Sequence, residues 1–211
     1  MSLQRVICTY AETPALKQTP SIFHHPTLFN MPTIPYITDQ DISAEIVPAD
    51  LVAAIRERRA NGALLNLDRM LLHSPPIARG WNTFLGAIRR DLSLAPHLRE
   101  LAICAIAKLN RAEYEWTQHA PIFLAEGGRQ SQLDRLMSID TAYADESEFN
   151  RVERATLNLT REMTLNVDVC TATLDEIRAV LSDAEVVELV GVIATYNMVS
   201  RFLVALEVGP E

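Results

Sequence analysis

The sequence is poor in what the other fold classes need. Only seven glycines occur in 211 residues, and runs of β-branched residues are few. Both shortages disfavour a sheet and leave helix as the default. Cysteine is scarcer still. Cys8, Cys104 and Cys170 form an odd set with no CxxC pair and no metal-like spacing. That argues against a disulfide framework and makes a reducing cytoplasm the expected setting. Positive charge is in deficit, at a formal net charge of −8. Nucleic acid is therefore not expected as a partner, because phosphate contacts need a basic surface. A small anionic ligand stays admissible, since the charge of a pocket need not follow the total. The N-terminus has no basic start followed by a long apolar core, so a secretory signal is not expected. Nor is a membrane partner: the longest apolar stretch, Val186 to Val208, is interrupted by Glu188, Arg201 and Glu207.

What is present is the profile of a globular chain, 48% hydrophobic and 22% charged, long enough for one domain or for a core shared between subunits. Residues 1–48 hold Pro14, Pro20, Pro26, Pro32, Pro35 and Pro48, more than half of the eleven prolines. No helical period survives that spacing, so an extended Pro-rich arm is expected there. From residue 49 to 211 the period turns helical. Stretches 49–60, 63–72, 77–91, 130–138, 148–165, 174–181 and 183–208 each read as a helix. Asn61-Gly62 and the double proline Pro75-Pro76 separate the early ones. Thr173 with Glu176, and Ser182 with Glu185, fit capping boxes. Together with the helices of the central stretch below, this predicts an all-α domain of about eight helices.

The central stretch runs from Arg99 to Gly127, RELAICAIAKLNRAEYEWTQHAPIFLAEG. It reads as two consecutive helices, the first with an apolar face at Ala102, Ile103, Ile106, Ala107 and Leu109. Glu115 and His119 are four apart, one turn along one face of the second. Such a pair is either a surface ion pair or a working one, in which the carboxylate orients an imidazole that gives and takes protons near neutrality. Glu100 could approach from the preceding helix. A shared metal would need further carboxylates that the sequence does not supply, so neither a metal nor another cofactor is expected. The pair His24–His25 reads as an exposed polar turn.

RELAICAIAKLNRAEYEWTQH resembles the signature of the carboxymuconolactone decarboxylase and alkylhydroperoxidase D-like family. In that family a glutamate precedes a helix bearing two positions three residues apart, with a histidine four residues beyond the second. Carried over, the glutamate is Glu100, the two positions are Ala112 and Glu115, and the histidine is His119. The peroxidase branch has cysteines at the two positions; here they are absent, which resembles the decarboxylase branch. LDRMLLHSPPIARGW and VVELVGVIATYNMVSRF extend the likeness, which runs from about Met31 to the end. MPTIPYITDQD looks like a customary beginning for the family, so residues 1–30 are expected to be an extension or a misassigned start.

The resemblance implies a homo-oligomeric enzyme, whether dimer, trimer or hexamer, acting by proton relay on a small carboxylated or lactone-like metabolite. His119, Glu115 and Glu100 would be catalytic, with Glu115 orienting His119. His73, Trp116, Tyr196 and Asn197 are the candidates for lining the substrate cavity; a helix C-cap would explain His73 as well, packing is the first role for Trp116, and buried polar groups that need partners would by themselves explain Tyr196 and Asn197. Arg79, Arg111 and Arg201 are the candidates for holding a substrate carboxylate. Two other readings remain. One is a thiol peroxidase working through Cys104, whose apolar neighbours argue for a core role instead. The other is an oligomeric small-molecule binder without chemistry.

Overall fold

The computed structural model describes residues 32–211. The expectations for Cys8, for His24–His25 and for residues 1–30 lie outside them.

Among the described residues there are eleven α-helices and one 3₁₀ turn, and no strand. The all-α expectation is borne out, with more helices than the eight or so expected. One extra is a single turn inside the Pro-rich segment, α1 (Asp39–Ser43), started by a capping box between Thr38 and Asp41. Then come α2 (Ala49–Arg58), the 3₁₀ turn Ala60–Gly62, α3 (Asn66–Leu71) and α4 (Pro75–Arg90). The double proline opens α4 rather than merely preceding it, because a helix's first turn needs no N–H donors. The central pair is α5 (Pro96–Asn110) and α6 (Glu113–Ala125). Next are α7 (Gln130–Leu136), the one-turn α8 (Ile139–Ala142), α9 (Arg151–Asn166), α10 (Thr171–Arg178) and α11 (Asp183–Ala205).

α5 is the axis. Every residue from Leu98 to Ala107 is buried. Ala102, Ile103 and Ile106 face the larger core, with residues of α2, α3, α4, α9 and α11. Leu101, Cys104 and Ala105 face a second cluster with Phe123, Leu133, Leu136 and Phe149. Arg111 ends α5 in the left-handed region, at φ 56°, and the Ala112 N–H bonds back to the Ala107 carbonyl at 2.9 Å. The chain reverses there, and α6 runs back along α5. Glu100 and His119 lie about two to three turns from that reversal on either side, so they arrive at the same level. Pro121 lies inside α6 without ending it.

α11 corrects the membrane argument. By length and composition it does qualify as a span, at a mean hydropathy of 1.4. Its apolar length is instead that of an interior helix: Leu189, Val192, Ile193, Tyr196, Val199 and Leu203 are all buried in the core it shares with α5 and α9. The Pro-rich segment from residue 32 to 48 contributes Ile37 and Val47 to the same core.

Candidate active site

α5, α6 and α11 enclose one side of a cavity of about 240 Å³, with Arg59, Leu65 and Leu67 from the α2–α3 region and Arg89 from α4 on the other. Glu100, Glu115 and His119 all line it. They are 2%, 1% and 5% exposed, which rules out the exposed ion-pair reading.

The pairing differs from the sequence expectation. Glu100, not Glu115, holds the imidazole: its Oε2 lies 2.6 Å from His119 Nδ1. Its other oxygen accepts from Arg99 Nε at 3.0 Å. Helix geometry explains the exchange. Side chains four apart on α6 lie alongside each other and are directed into the cavity, whereas Glu100 faces His119 across the α5–α6 seam. The Tyr196 ring meets the His119 ring edge-on, with centroids 5.0 Å apart, and Arg89 Nε donates to the Tyr196 hydroxyl at 3.0 Å. Tyr196 thus lies behind the histidine as a wall.

Glu115 is placed differently. Ser200 of α11 donates to its Oε2 at 2.6 Å. Its Oε1 is buried and has no partner among the described residues. Burial pushes this carboxyl up to about 8, against smaller lowering effects of the Ser200 hydrogen bond and the Arg89 charge. At neutral pH it is a carboxylic acid with a proton to give.

The other two groups shift the opposite way. Burial holds the His119 imidazole below its ordinary value, despite the Glu100 hydrogen bond and charge that work to raise it. Burial would raise Glu100, but the hydrogen bond from His119, with the hydrogen bond and charge of Arg99, prevails and keeps it below the usual carboxylate range. A neutral imidazole therefore donates Nδ1–H to an ionised Glu100 and keeps Nε2 as an acceptor. One cavity holds a base and an acid whose environments push their proton affinities apart, the arrangement acid–base catalysis needs.

The four expected lining residues sit elsewhere or, for Tyr196, behind the histidine. His73 is exposed, donates from Nε2 to the Pro35 carbonyl at 2.7 Å, and borders a separate apolar depression with Ile34, Ile77 and Phe202. Trp116 is half-buried against the second cluster, with Lys108 Nζ 3.6 Å from its ring centre. Asn197 has a structural role: it accepts from Asn110 and Arg201 and donates to Thr164 and the Ile193 carbonyl. The expected arginines are engaged elsewhere too. Arg79 pairs with Asp50 on the surface at 2.7 Å, Arg201 donates to Asn197, and Arg111 is the left-handed turn residue.

Three arginines the sequence did not single out line the cavity instead: Arg59, Arg89 and Arg99. Arg59 is held by both oxygens of Asp68, at 2.7 and 2.8 Å. Arg99 has only Nε engaged among the described residues, which leaves its terminal nitrogens for a ligand. Gln118 and Tyr114 join them from α6. Ser200 had a signal in the sequence: it lies one turn after Tyr196 on the same helix face. Arg89 carried none, since only the tertiary packing of α4 brings it in.

Cys104 is fully buried in the second cluster. Burial, then the negative charge of Glu100, hold its thiol far above the ordinary range. Cys170 is half-buried, 3.4 Å from the Thr173 hydroxyl.

Comparison with known proteins bears on the family and the fold. Residues 75–158 match the sequence model of the carboxymuconolactone decarboxylase family. No curated protein sequence matches the chain. Among solved structures, a peroxidase-related protein with an alkylhydroperoxidase AhpD core, from Ralstonia eutropha JMP134, is 18% identical. Its TM-score is 0.71, over 89% of this chain and 94% of that one. A peroxidase-related protein from Silicibacter sp. TM1040 is 15% identical at TM-score 0.65, over 89% and 93%. A point variant of the debrominase Bmp8, in complex with 2,3,4-tribromopyrrole, is 16% identical at TM-score 0.61, over 88% and 92%. At such identities the likeness establishes the fold, which is that of the AhpD-like proteins.

Proposed function

We propose that this chain, which belongs to the carboxymuconolactone decarboxylase and AhpD-like family, is an enzyme that uses acid–base chemistry to decarboxylate a small carboxylated or lactone-like metabolite. The observation that carries the reading is the buried His119–Glu100 pair at 2.6 Å, in one cavity with the protonated Glu115, whose Oε1 has no partner among the described residues.

In the reaction, the bond to the departing carboxylate breaks and its electron pair enters a conjugated carbonyl of the substrate. CO2 leaves, and Glu115 gives its proton to the carbon. His119, kept neutral and oriented by Glu100, takes up a proton from solvent at Nε2 and passes it to the Glu115 carboxylate, which resets the acid. The terminal nitrogens of Arg99 hold a substrate carboxylate in the fork geometry that guanidinium favours. Leu65, Leu67, Ile122, Val199 and Leu203 supply an apolar wall that strengthens these charges. The reading also includes homo-oligomerisation, supported by apolar side chains left on the outside of α4 and α11.

The test is CO2 release from carboxylated lactones by wild type, His119→Ala and Glu115→Gln, with circular dichroism as the folding control. Turnover by wild type and loss in both variants supports the reading. Full activity in folded His119→Ala would overturn it. The names of the structural relatives raise peroxide reduction as a second reading. It needs an attacking thiolate, and the burial of Cys104 opposes that. Peroxide consumption that is lost in Cys104→Ser would favour it. A ligand bound tightly and never converted would leave only the binder reading.

A further inference from the structure

The last residues of the described chain are hydrogen-bonded to two side chains that line the cavity, Tyr114 and Gln118. Gly209 N–H donates to the Tyr36 hydroxyl at 3.1 Å, and the Asn66 side-chain amide donates to the Gly209 and Pro210 carbonyls. Glu211 then places its side-chain carboxylate among three donors. Its Oε1 accepts from the Tyr114 hydroxyl at 3.0 Å and from Asn66 N–H at 2.7 Å; its Oε2 accepts from Gln118 Nε2 at 2.6 Å.

Two of those donors, Tyr114 and Gln118, line the cavity. They lie one turn apart on α6, each one residue before Glu115 and His119, so the helix that carries the acid and the base carries this receptor beside them. Burial, and then the Glu211 charge, raise the Tyr114 hydroxyl well above its ordinary range, so it remains a donor. The three donors are neutral and bring no counter-charge of their own. Glu211 is itself exposed, so the bonds hold a solvated side chain in place and are exchangeable.

We propose that Tyr114, Gln118 and the Asn66 N–H form a carboxylate subsite beside the cavity, and that Glu211 occupies it as an intramolecular competitor. A ligand carboxylate entering the cavity displaces the Glu211 side chain and takes over its three hydrogen bonds. The ligand class is an organic carboxylate with a small apolar body, the body facing Ile122 and Leu203. This gate rests on the decarboxylase reading in one respect only, that the cavity receives a carboxylate.

The test measures binding, not turnover, so its failure is separable from failure of the chemistry. Benzoate is titrated calorimetrically into the full chain as wild type, Glu211→Ala, and Glu211→Ala with Gln118→Leu; benzamide is the uncharged control. A competitor that fills its site about nine-tenths of the time weakens the apparent affinity about tenfold. Glu211→Ala is therefore expected to bind benzoate about tenfold more tightly than wild type, without a matching gain for benzamide. Adding Gln118→Leu is expected to cancel the gain. Equal or weaker benzoate binding in Glu211→Ala, including no binding by either protein, would overturn the proposal. So would a gain that survives Gln118→Leu, which would place the carboxylate elsewhere.

Discussion

At the scale of the residue, the site rests on two glutamates with opposite protonation. Glu100 is ionised because an imidazole and a guanidinium face it; Glu115 is neutral because burial outweighs the one serine hydroxyl bonded to it. The proposed chemistry then gives a bell-shaped pH profile of kcat/KM. The acid limb lies below the ordinary histidine value, where His119 takes a second proton, and the alkaline limb lies near 8, where Glu115 ionises. A profile flat across both limbs would refute the pairing. His119→Ala is expected to lower kcat by about 10²–10⁴-fold. Glu115 also makes a stability prediction. Its folded value lies above the 4.5 of the unfolded chain, so the unfolded chain releases its proton first. The stability of the protonated form is complete below pH 4.5 and is lost progressively as pH rises to about 8. Glu115→Gln should therefore gain on wild type in urea midpoints across that window and match it below. A difference independent of pH would mean that Glu115 is ionised in the fold.

At the scale of the element, the helix ends give the clearest readings. Gly127, at φ 97°, ends α6, and Gly128 N–H bonds to the Phe123 carbonyl at 2.9 Å. A Cβ on Gly128 would lie 2.3–2.5 Å from the Phe123 ring, which is fully buried. Gly128→Ala should cost about 1–3 kcal/mol in denaturant unfolding, by overpacking the second cluster. A neutral result would show that α6 can shift, and with it His119. Ser182 and Glu185 form the expected capping box of α11, and Ser182→Ala should cost about 1 kcal/mol. The matching pair Thr173–Glu176 does not cap. α10 starts earlier, after Cys170, and the Thr173 hydroxyl donates to Glu162 on α9 at 2.7 Å. A local pattern gave way there to a buried carboxylate from another helix, which no window along the chain can see.

At the scale of the molecule, the exposed apolar side chains matter most. Ile77 and Phe84 on α4 are about half exposed, at 54% and 49%, and so are Met198 and Val204 on α11, at 42% and 50%. Assembly of like chains would cover them. Native mass spectrometry is expected to give an oligomer, and Phe84→Glu or Val204→Glu to shift it towards monomer. A wild-type monomer at micromolar concentration would overturn the oligomer proposal.

By itself the sequence determined the helical class, the α5–α6 hairpin and the three titratable residues, Glu100, Glu115 and His119, that this hairpin brings to one cavity. Those follow from local period, from scarce glycine, and from one contiguous motif whose spacing is set by helix geometry. It did not determine which glutamate holds the histidine, which arginines face the cavity, or that His73 and Asn197 lie apart from it. These depend on how α4, α5, α6 and α11 pack: a hydrogen bond between residues on different helices is a fact of distance in space, and burial, which sets the protonation of Glu115, exists only once the core has closed.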